Sequence, residues 1–169
     1  MKHTILKTKR LRLEKIRIEH KEELYKLLSN PAVHKFFPKT LDKIESEEFF
    51  MKVQQKYKTD GYSFWAVIRQ ADNKFIGICG LLSQIIDGKT ETEIGYRLSD
   101  EFWNQGYGTE AAKGCISFAK EKLKLTSIIS LIRPANKPSI RVAEKNGLTL
   151  EKETIFHDLA HLVYRLNLN

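Results

Sequence analysis

The sequence predicts an α+β fold, a mixed and largely antiparallel twisted sheet of about seven strands flanked by about four helices. Stretches that alternate like strands and stretches with helical periodicity follow one another in the order β-α-α-β-β-β-α-β-α-β-β. No internal repeat, low-complexity tract or Pro/Ser-rich linker interrupts them. The length of 169 residues suits one hydrophobic core. We therefore expect a single domain over residues 1–169.

The first half of the chain predicts two helices between strands. Apolar residues alternate with charged ones over 10–18, which is typical of a half-buried strand. Leucines at helical spacing follow and stop at Asn30-Pro31. An aromatic stripe predicts a second helix over 42–61. Further strands are expected at 64–68, 75–82 and 90–98, with turns between them at 71–74 and 87–88.

The second half predicts two helices and three strands. Small and apolar residues recur at helical spacing over 109–123, so this helix has one apolar face. A β-rich run follows at 127–132. Asn136 is expected to cap the next helix, with Pro138 in its first turn and Gly147 just beyond its end. Two closing strands are expected at 148–156 and 162–168.

The chain is basic, with 29 Lys and Arg against 21 Asp and Glu and a formal net charge of +8. A positive field favours polyanions, among them nucleic acid, an anionic membrane and a phosphate-rich cofactor. The basic residues are scattered, and neither a helix-turn-helix pattern nor an RNA-binding aromatic pair is present. We therefore expect no nucleic acid partner.

The sequence lacks several patterns that are typical of membrane, secreted and metal-binding proteins. The apolar runs are far shorter than a membrane span, and the first residues have neither an apolar signal core nor a cleavage site. We expect a cytoplasmic protein without a membrane partner. Cys79 and Cys115 stand among apolar neighbours, which favours buried thiols over a disulfide framework. The five histidines lack the spacing of metal ligands, so we expect no metal.

The strongest local signal is a glycine loop, Trp-Asn-Gln-Gly-Tyr-Gly-Thr-Glu-Ala at 103–111. It follows a predicted strand and opens a predicted helix. A helix N-terminus offers unpaired N–H groups and the positive end of the helix dipole, and both attract phosphate oxygens. The loop therefore predicts a site for a phosphate-bearing ligand.

A nicotinamide cofactor fits this loop poorly. Residues 106–111 match the letters of the dinucleotide fingerprint G-x-G-x-x-A. That fingerprint requires an acidic residue about twenty positions later to hold the ribose. Residues 128–133 read Ile-Ile-Ser-Leu-Ile-Arg and contain no carboxylate. A purely structural glycine turn remains the other alternative.

Three more segments carry a family resemblance. Residues 93–96 read Glu-Ile-Gly-Tyr, residues 8–13 read Thr-Lys-Arg-Leu-Arg-Leu, and residues 136–148 fit the pattern N-x-x-S-x-x-x-x-E-K-x-G-L. With the glycine loop, in this order and spacing, they resemble the GNAT N-acetyltransferases, and within these the branch of RimJ/RimL-like ribosomal-protein N-terminal acetyltransferases. Trp103 stands where many members have Gln or Arg, a departure common in that branch.

The resemblance implies where acetyl-CoA binds. Strands 90–98 and 127–132 are expected to splay apart, with the pantetheine arm in the gap against main-chain groups of Tyr96 and Leu98. The backbone amides expected at the pyrophosphate belong to Gln105, Gly106, Tyr107, Gly108 and Thr109. Asn136 either contacts the pantetheine or only caps its helix.

Direct transfer requires a neutral amine that attacks the thioester carbonyl and expels the CoA thiolate. An α-amine, with a pKa of about 7.7–8, asks less of a base than a lysine-like amine near about 10.4. Glu93 is the carboxylate best placed to act as base, directly or through water. Glu91 shares its face of the strand and is the second candidate.

The leaving thiolate needs a partner as well. Many members of the superfamily use a tyrosine seven residues after the asparagine, where this chain has Ala143. Ser139 lies one helical turn earlier, on the same face. We expect Ser139 to donate a hydrogen bond to the thiolate, with helix capping or packing as the alternative.

The leading hypothesis is an enzyme that acetylates a primary amine, either a protein N-terminal α-amine or a small molecule. The alternative is a non-catalytic acyl-CoA-binding or regulatory module on the same fold, since the tyrosine acid is missing. The frequency of two-fold symmetric oligomers alone favours a homodimer.

Overall fold

A computed structural model describes residues 2–169 of the chain. Its helices are α1 (Lys21–Leu28), α2 (Lys43–Thr59), α3 (Tyr107–Glu121) and α4 (Lys137–Lys145). Its strands are β1 (Thr4–Lys7), β2 (Leu11–Lys15), β3 (Phe64–Arg69), β4 (Lys74–Ile86), β5 (Lys89–Leu98), β6 (Ser127–Ile132), β7 (Thr149–Phe156) and β8 (Leu159–Asn167). The predicted α+β class is confirmed.

The eight strands form one sheet in the order β1-β2-β3-β4-β5-β6-β8-β7. Neighbouring strands are antiparallel except β5 and β6, which are parallel. Parallel neighbours need a crossover connection, and α3 supplies it between β5 and β6. The glycine loop lies at the start of this crossover, so it is held at the one parallel junction of the sheet.

Helices pack on both faces of the sheet. The larger core cluster joins α3 to one face and contains Trp65, Ile76, Leu98 and Ala111. A second cluster joins α1 and α2 to the opposite face. Side chains along β5 alternate between the two faces, so Ile94 packs with the α3 cluster. None of the helices among residues 2–169 is long and apolar enough to cross a membrane.

The edge strand β1 was not predicted, and the sheet has eight strands rather than about seven. β1 has only four residues, all half-buried or exposed, so it shows no apolar alternation. The strand expected at 10–18 ends at Lys15, and Ile18 is 74% exposed in a short 3₁₀ turn. The spacing of Ile16 and Ile18 alone therefore predicted a strand that is longer than the observed β2.

Candidate functional site

Strands β5 and β6 pair over only a short stretch and then separate. Glu93 and Ile129 form the single register pair between them. Beyond it, side chains bridge the strands: the Ser130 hydroxyl donates to the Ile94 carbonyl at 3.2 Å, and the Leu131 N–H donates to Glu93 Oε2 at 3.3 Å. The splayed strands that the resemblance implied are therefore present. Their gap opens from Glu93 towards the C-terminal end of β5.

The glycine loop lies at the open end of this gap. Gly106 is the N-cap of α3 and has a left-handed backbone with φ +81°, and no side chain caps the helix. A Cβ on Gly108 would lie 3.7 Å from Leu98 and 3.8 Å from Tyr96. Tyr96 and Leu98 thus lie beside the loop formed by residues 105–109. The fold brings together all the residues of the predicted cofactor site on β5 and in this loop.

An anchor that the site prediction missed holds the loop in place. The Glu110 carboxylate accepts hydrogen bonds from the Thr8 hydroxyl, the Arg10 N–H and Arg10 Nε, each at 2.7 Å. Arg10 also donates to the Gln105 carbonyl at 2.9 Å, and its guanidinium lies 4.2 Å from the centre of the Tyr107 ring. Burial acts to raise the pKa of Glu110, but these bonds hold it below its ordinary value. The Thr-x-Arg-Leu motif was the available signal for this anchor.

Glu93 is the buried carboxyl group of the gap, with 9% of its surface exposed. Its Oε1 accepts from Gln84 Nε2 at 3.1 Å, and its Oε2 accepts from the Leu131 N–H. Burial raises its pKa from 4.5 to about 7, against the opposing effect of these hydrogen bonds and of the Arg97 charge. Near neutral pH this group exchanges a proton readily, which suits a general base.

Glu91, the second candidate base, is occupied by an ion pair. Its Oε1 accepts from Arg165 at 3.2 Å, and its Oε2 pairs with the same guanidinium. Arg165 also pairs with Glu151 at 3.0 Å and donates to the Ser127 hydroxyl at 2.9 Å. A carboxylate held by this network has a structural partner already, whereas no ion pair among residues 2–169 includes Glu93.

Ser139 and Tyr96 meet on the α4 side of the gap. The Tyr96 hydroxyl donates to Ser139 Oγ at 3.1 Å, and burial raises the pKa of this phenol above its ordinary value. Asn136 Oδ1 accepts from the Ser139 N–H at 3.3 Å and so caps α4, one of its two expected roles. Ala143 is buried. The sequence indicated only the main chain of Tyr96, and the structure adds its side chain to the site.

The cysteines have no assigned role in the site, although Cys79 is the register partner of Tyr96. Cys79 and Cys115 are free and buried, with their sulfur atoms 3.6 Å apart, as the apolar context of both residues predicted. Within residues 2–169, no three His, Cys, Asp or Glu side chains are grouped so that they could hold a metal ion.

Comparisons with known proteins agree with this geometry. A family model described as an acetyltransferase (GNAT) domain matches residues 10–149. The uncharacterised protein YkkB of Bacillus subtilis (strain 168) is 35% identical over 150 residues, which cover 88% of this chain and 87% of that protein.

Solved structures share the fold. An acetyltransferase of the GNAT family from Bacillus anthracis has a TM-score of 0.83 at 24% identity and covers 96% of this chain and 98% of its own. RimL, a ribosomal L7/L12 α-N-protein acetyltransferase solved in complex with coenzyme A, has a TM-score of 0.78 at 16% identity, with 97% of both chains covered.

Proposed function

Because the chain belongs to the GNAT acetyltransferase family and is an acetyl-CoA-dependent acetyltransferase, we propose that it acetylates a primary amine by direct attack in a ternary complex. The observation that carries this proposal is the gap between β5 and β6, with the Glu93 carboxyl group at one end and the glycine loop at the other. Acetyl-CoA supplies the activated acetyl group as a thioester.

The described residues fit this donor. The first N–H groups of the fifteen-residue helix α3 have no side-chain cap, so they are free to bind the pyrophosphate. Along β5, Tyr96 and Leu98 pair with β4 on one side and not with β6 on the other. The Leu98 carbonyl accepts from Trp103 Nε1 at 2.8 Å, so the main-chain groups of Tyr96 and the Leu98 N–H are the ones left for the gap. Such groups can hydrogen-bond the amides of a pantetheine arm as a neighbouring strand would.

Glu93 acts as the general base in this proposal. A carboxylate with a pKa of about 7 can take a proton from the acceptor nitrogen, directly or through water, so that the neutral amine attacks the thioester carbonyl. The α-amine of a peptide is roughly ten per cent neutral at pH 7, while a lysine-like amine is neutral in only about one part in a few thousand. This base therefore suits an α-amine, on a protein N-terminus or on a small molecule.

Ser139 stabilises the departing thiolate. The Tyr96 hydroxyl donates to Ser139 Oγ, so the proton of the serine hydroxyl is free to point elsewhere. A hydroxyl is a poor acid but a competent hydrogen-bond donor to an anion. Tyr96 orients the serine rather than protonating the sulfur itself, since burial makes this phenol a weaker acid.

Replacing Ser139 by alanine should lower kcat about tenfold and leave the KM for acetyl-CoA nearly unchanged. One charge-assisted hydrogen bond is lost in the transition state, worth about 1.5 kcal/mol. The N-cap of α4 survives because it uses the Ser139 N–H and not its side chain. Steady-state kinetics test this, with Ser117→Ala, which removes the hydroxyl of an exposed serine of α3, as the control that should keep the wild-type kcat. Equal kcat in Ser139→Ala and wild type would contradict the role of the serine.

A non-catalytic acyl-CoA-binding module is the second candidate, and Ala143 in place of a tyrosine is the observation that favours it. Incubating the protein with acetyl-CoA and an α-amine, and measuring free CoA and acetylated amine together, separates the two. We expect equal molar amounts of both products. Free CoA without acetylated amine, or acetyl-CoA binding without either product, would contradict the proposed function.

A further inference from the structure

An arginine of β5 lies among aromatic rings on the same face as Glu93. Arg97 is half-buried, and its guanidinium carbon lies 4.1 Å from the centre of the Phe37 ring, 5.4 Å from that of Phe49 and 5.7 Å from that of Phe64. Phe37 is 40% exposed, so this side of the cluster faces solvent. Arg97 and Phe37 are thus both partly exposed.

Arg97 differs from other arginines of the described chain in its charge partners. No ion pair among residues 2–169 includes it. By contrast, Arg10, Arg69 and Arg165 each pair with a carboxylate. Charges removed from water are normally paired, because an unpaired one is costly.

The hydrogen-bond partner of Arg97 is neutral. Arg97 contacts His34 Nε2 at 3.2 Å, and His34 Nδ1 lies 2.9 Å from the Lys39 carbonyl oxygen. A carbonyl oxygen only accepts, so Nδ1 carries the proton and Nε2 accepts from the guanidinium. Burial, with the nearby Arg97 charge, lowers the pKa of His34 and keeps the ring uncharged. The histidine orients the guanidinium and, being neutral, does not pair with its charge.

Glu93 is the carboxyl group whose charge acts on Arg97, and the influence is mutual. Burial lowers the pKa of Arg97 to about 10, so the guanidinium stays protonated at neutral pH. The two groups are not an ion pair and share one face of β5. This face of β5 thus offers a base and, further along the strand, a cation outside any ion pair.

We propose that Arg97 binds a carboxylate of the acceptor, so that the acceptor is an amine with a carboxylate close to its reacting nitrogen. This rests on the proposed function and deepens it. The planar fork of a guanidinium matches a carboxylate with two parallel hydrogen bonds. Bound in this way, the acceptor directs its amine towards Glu93. A free α-amino acid and a peptide N-terminus next to an acidic residue both present this chemistry.

Matched acceptors test the proposal with the full-length enzyme. One pair is a free α-amino acid and its carboxamide, and the other is a short peptide with Asp or Asn in second position. We expect kcat/KM to favour the carboxylate member of at least one pair by about tenfold or more. The pair that shows the preference identifies the source of the carboxylate. The α-amine of a carboxamide has the lower pKa and is more often neutral, so basicity alone favours the opposite order.

Two variants assign the preference to Arg97. Arg97→Gln should abolish it by raising the KM of the carboxylate acceptor about tenfold or more, while the KM for acetyl-CoA stays unchanged. Arg97→Lys should retain part of it, because the charge remains and the fork is lost. Lys52→Gln is the matched control, since it removes one exposed positive charge from α2 and should leave the preference intact.

The results distinguish failure of the carboxylate site from failure of the proposed amine acetylation. Equal use of both members of each pair by wild type, or an equal loss on both in Arg97→Gln, would overturn the carboxylate site while leaving amine acetylation established. If no acceptor is acetylated, the proposed function fails separately. Calorimetric titration of the same pairs into the CoA complex then still tests the site: carboxylate-dependent binding lost in Arg97→Gln supports it, and its absence overturns it.

Discussion

Replacing Glu93 by glutamine is expected to lower kcat/KM for an α-amine acceptor by about a hundredfold or more, as loss of a general base does. In wild type, kcat/KM should rise with pH through about 7, because the base works only when it is ionised and burial raises its pKa to that value. Glutamine cannot ionise, so this limb of the profile should vanish. The measurement is kcat/KM against pH for both proteins.

Glu91→Gln is the matched control for this substitution. It removes one carboxylate from the same strand, and with it the ion pair to Arg165, but it should leave the limb near pH 7 in place. An unchanged pH profile in Glu93→Gln would contradict the role of Glu93 and leave water as the acceptor of the proton.

The same pKa gives a stability effect with a defined sign. Glu93 holds its proton in the folded state up to about pH 7, while its ordinary pKa is 4.5. The free energy of unfolding should therefore fall as pH rises through this window, by roughly 3 kcal/mol from this group. Glu93→Gln should lack that decrease. Chemical denaturation of both proteins at the two ends of the window measures it.

Replacing Gly106 by aspartate should weaken acetyl-CoA binding by about a hundredfold or more. The carboxylate would stand among the N–H groups that we assign to the pyrophosphate and would repel it. A Cβ here also lies 3.3 Å from Arg10, which holds the loop. The left-handed backbone, with φ +81°, adds strain of about 1–2 kcal/mol for most residues and less for aspartate, which adopts it elsewhere in this chain at Asp87. Calorimetric titration with acetyl-CoA gives the change in Kd.

Gly61→Asp separates binding from strain. Gly61 has nearly the same backbone, with φ +83°, and nothing lies within 4 Å of its added Cβ. This control should lose comparable stability and keep its affinity for acetyl-CoA. Equal affinity of Gly106→Asp and wild type would show that the loop does not hold the pyrophosphate.

Much of the fold could be predicted because its elements bury one face. Helix α4 shows this, since Asn136, Pro138 and Gly147 mark its ends with local chemistry that needs no tertiary context. The edge strand β1 could not be found in the same way. Its pairing with β2 determines it, and four partly exposed residues show no period.

The same distinction between local signals and long-range contacts applies to the candidate site. The glycine loop and Glu93 were predictable because motif letters and strand position are local. The neutral state of His34 and the unpaired charge of Arg97 depend on contacts between residues 63 positions apart. The family resemblance indicates the main chain of Tyr96 as a cofactor contact, but the hydrogen bond of its side chain to Ser139 depends on how α4 packs against β5. Sequence spacing carries no information on such pairings.

Thermal unfolding of the wild-type protein with increasing acetyl-CoA tests most directly whether the glycine loop and the strand gap hold this donor. At about a hundred times its dissociation constant, acetyl-CoA should stabilise the fold by roughly 2.7 kcal/mol and raise the midpoint by about 5–10 °C, while NADH should not. No shift at millimolar acetyl-CoA, or an equal shift with NADH, would contradict the account.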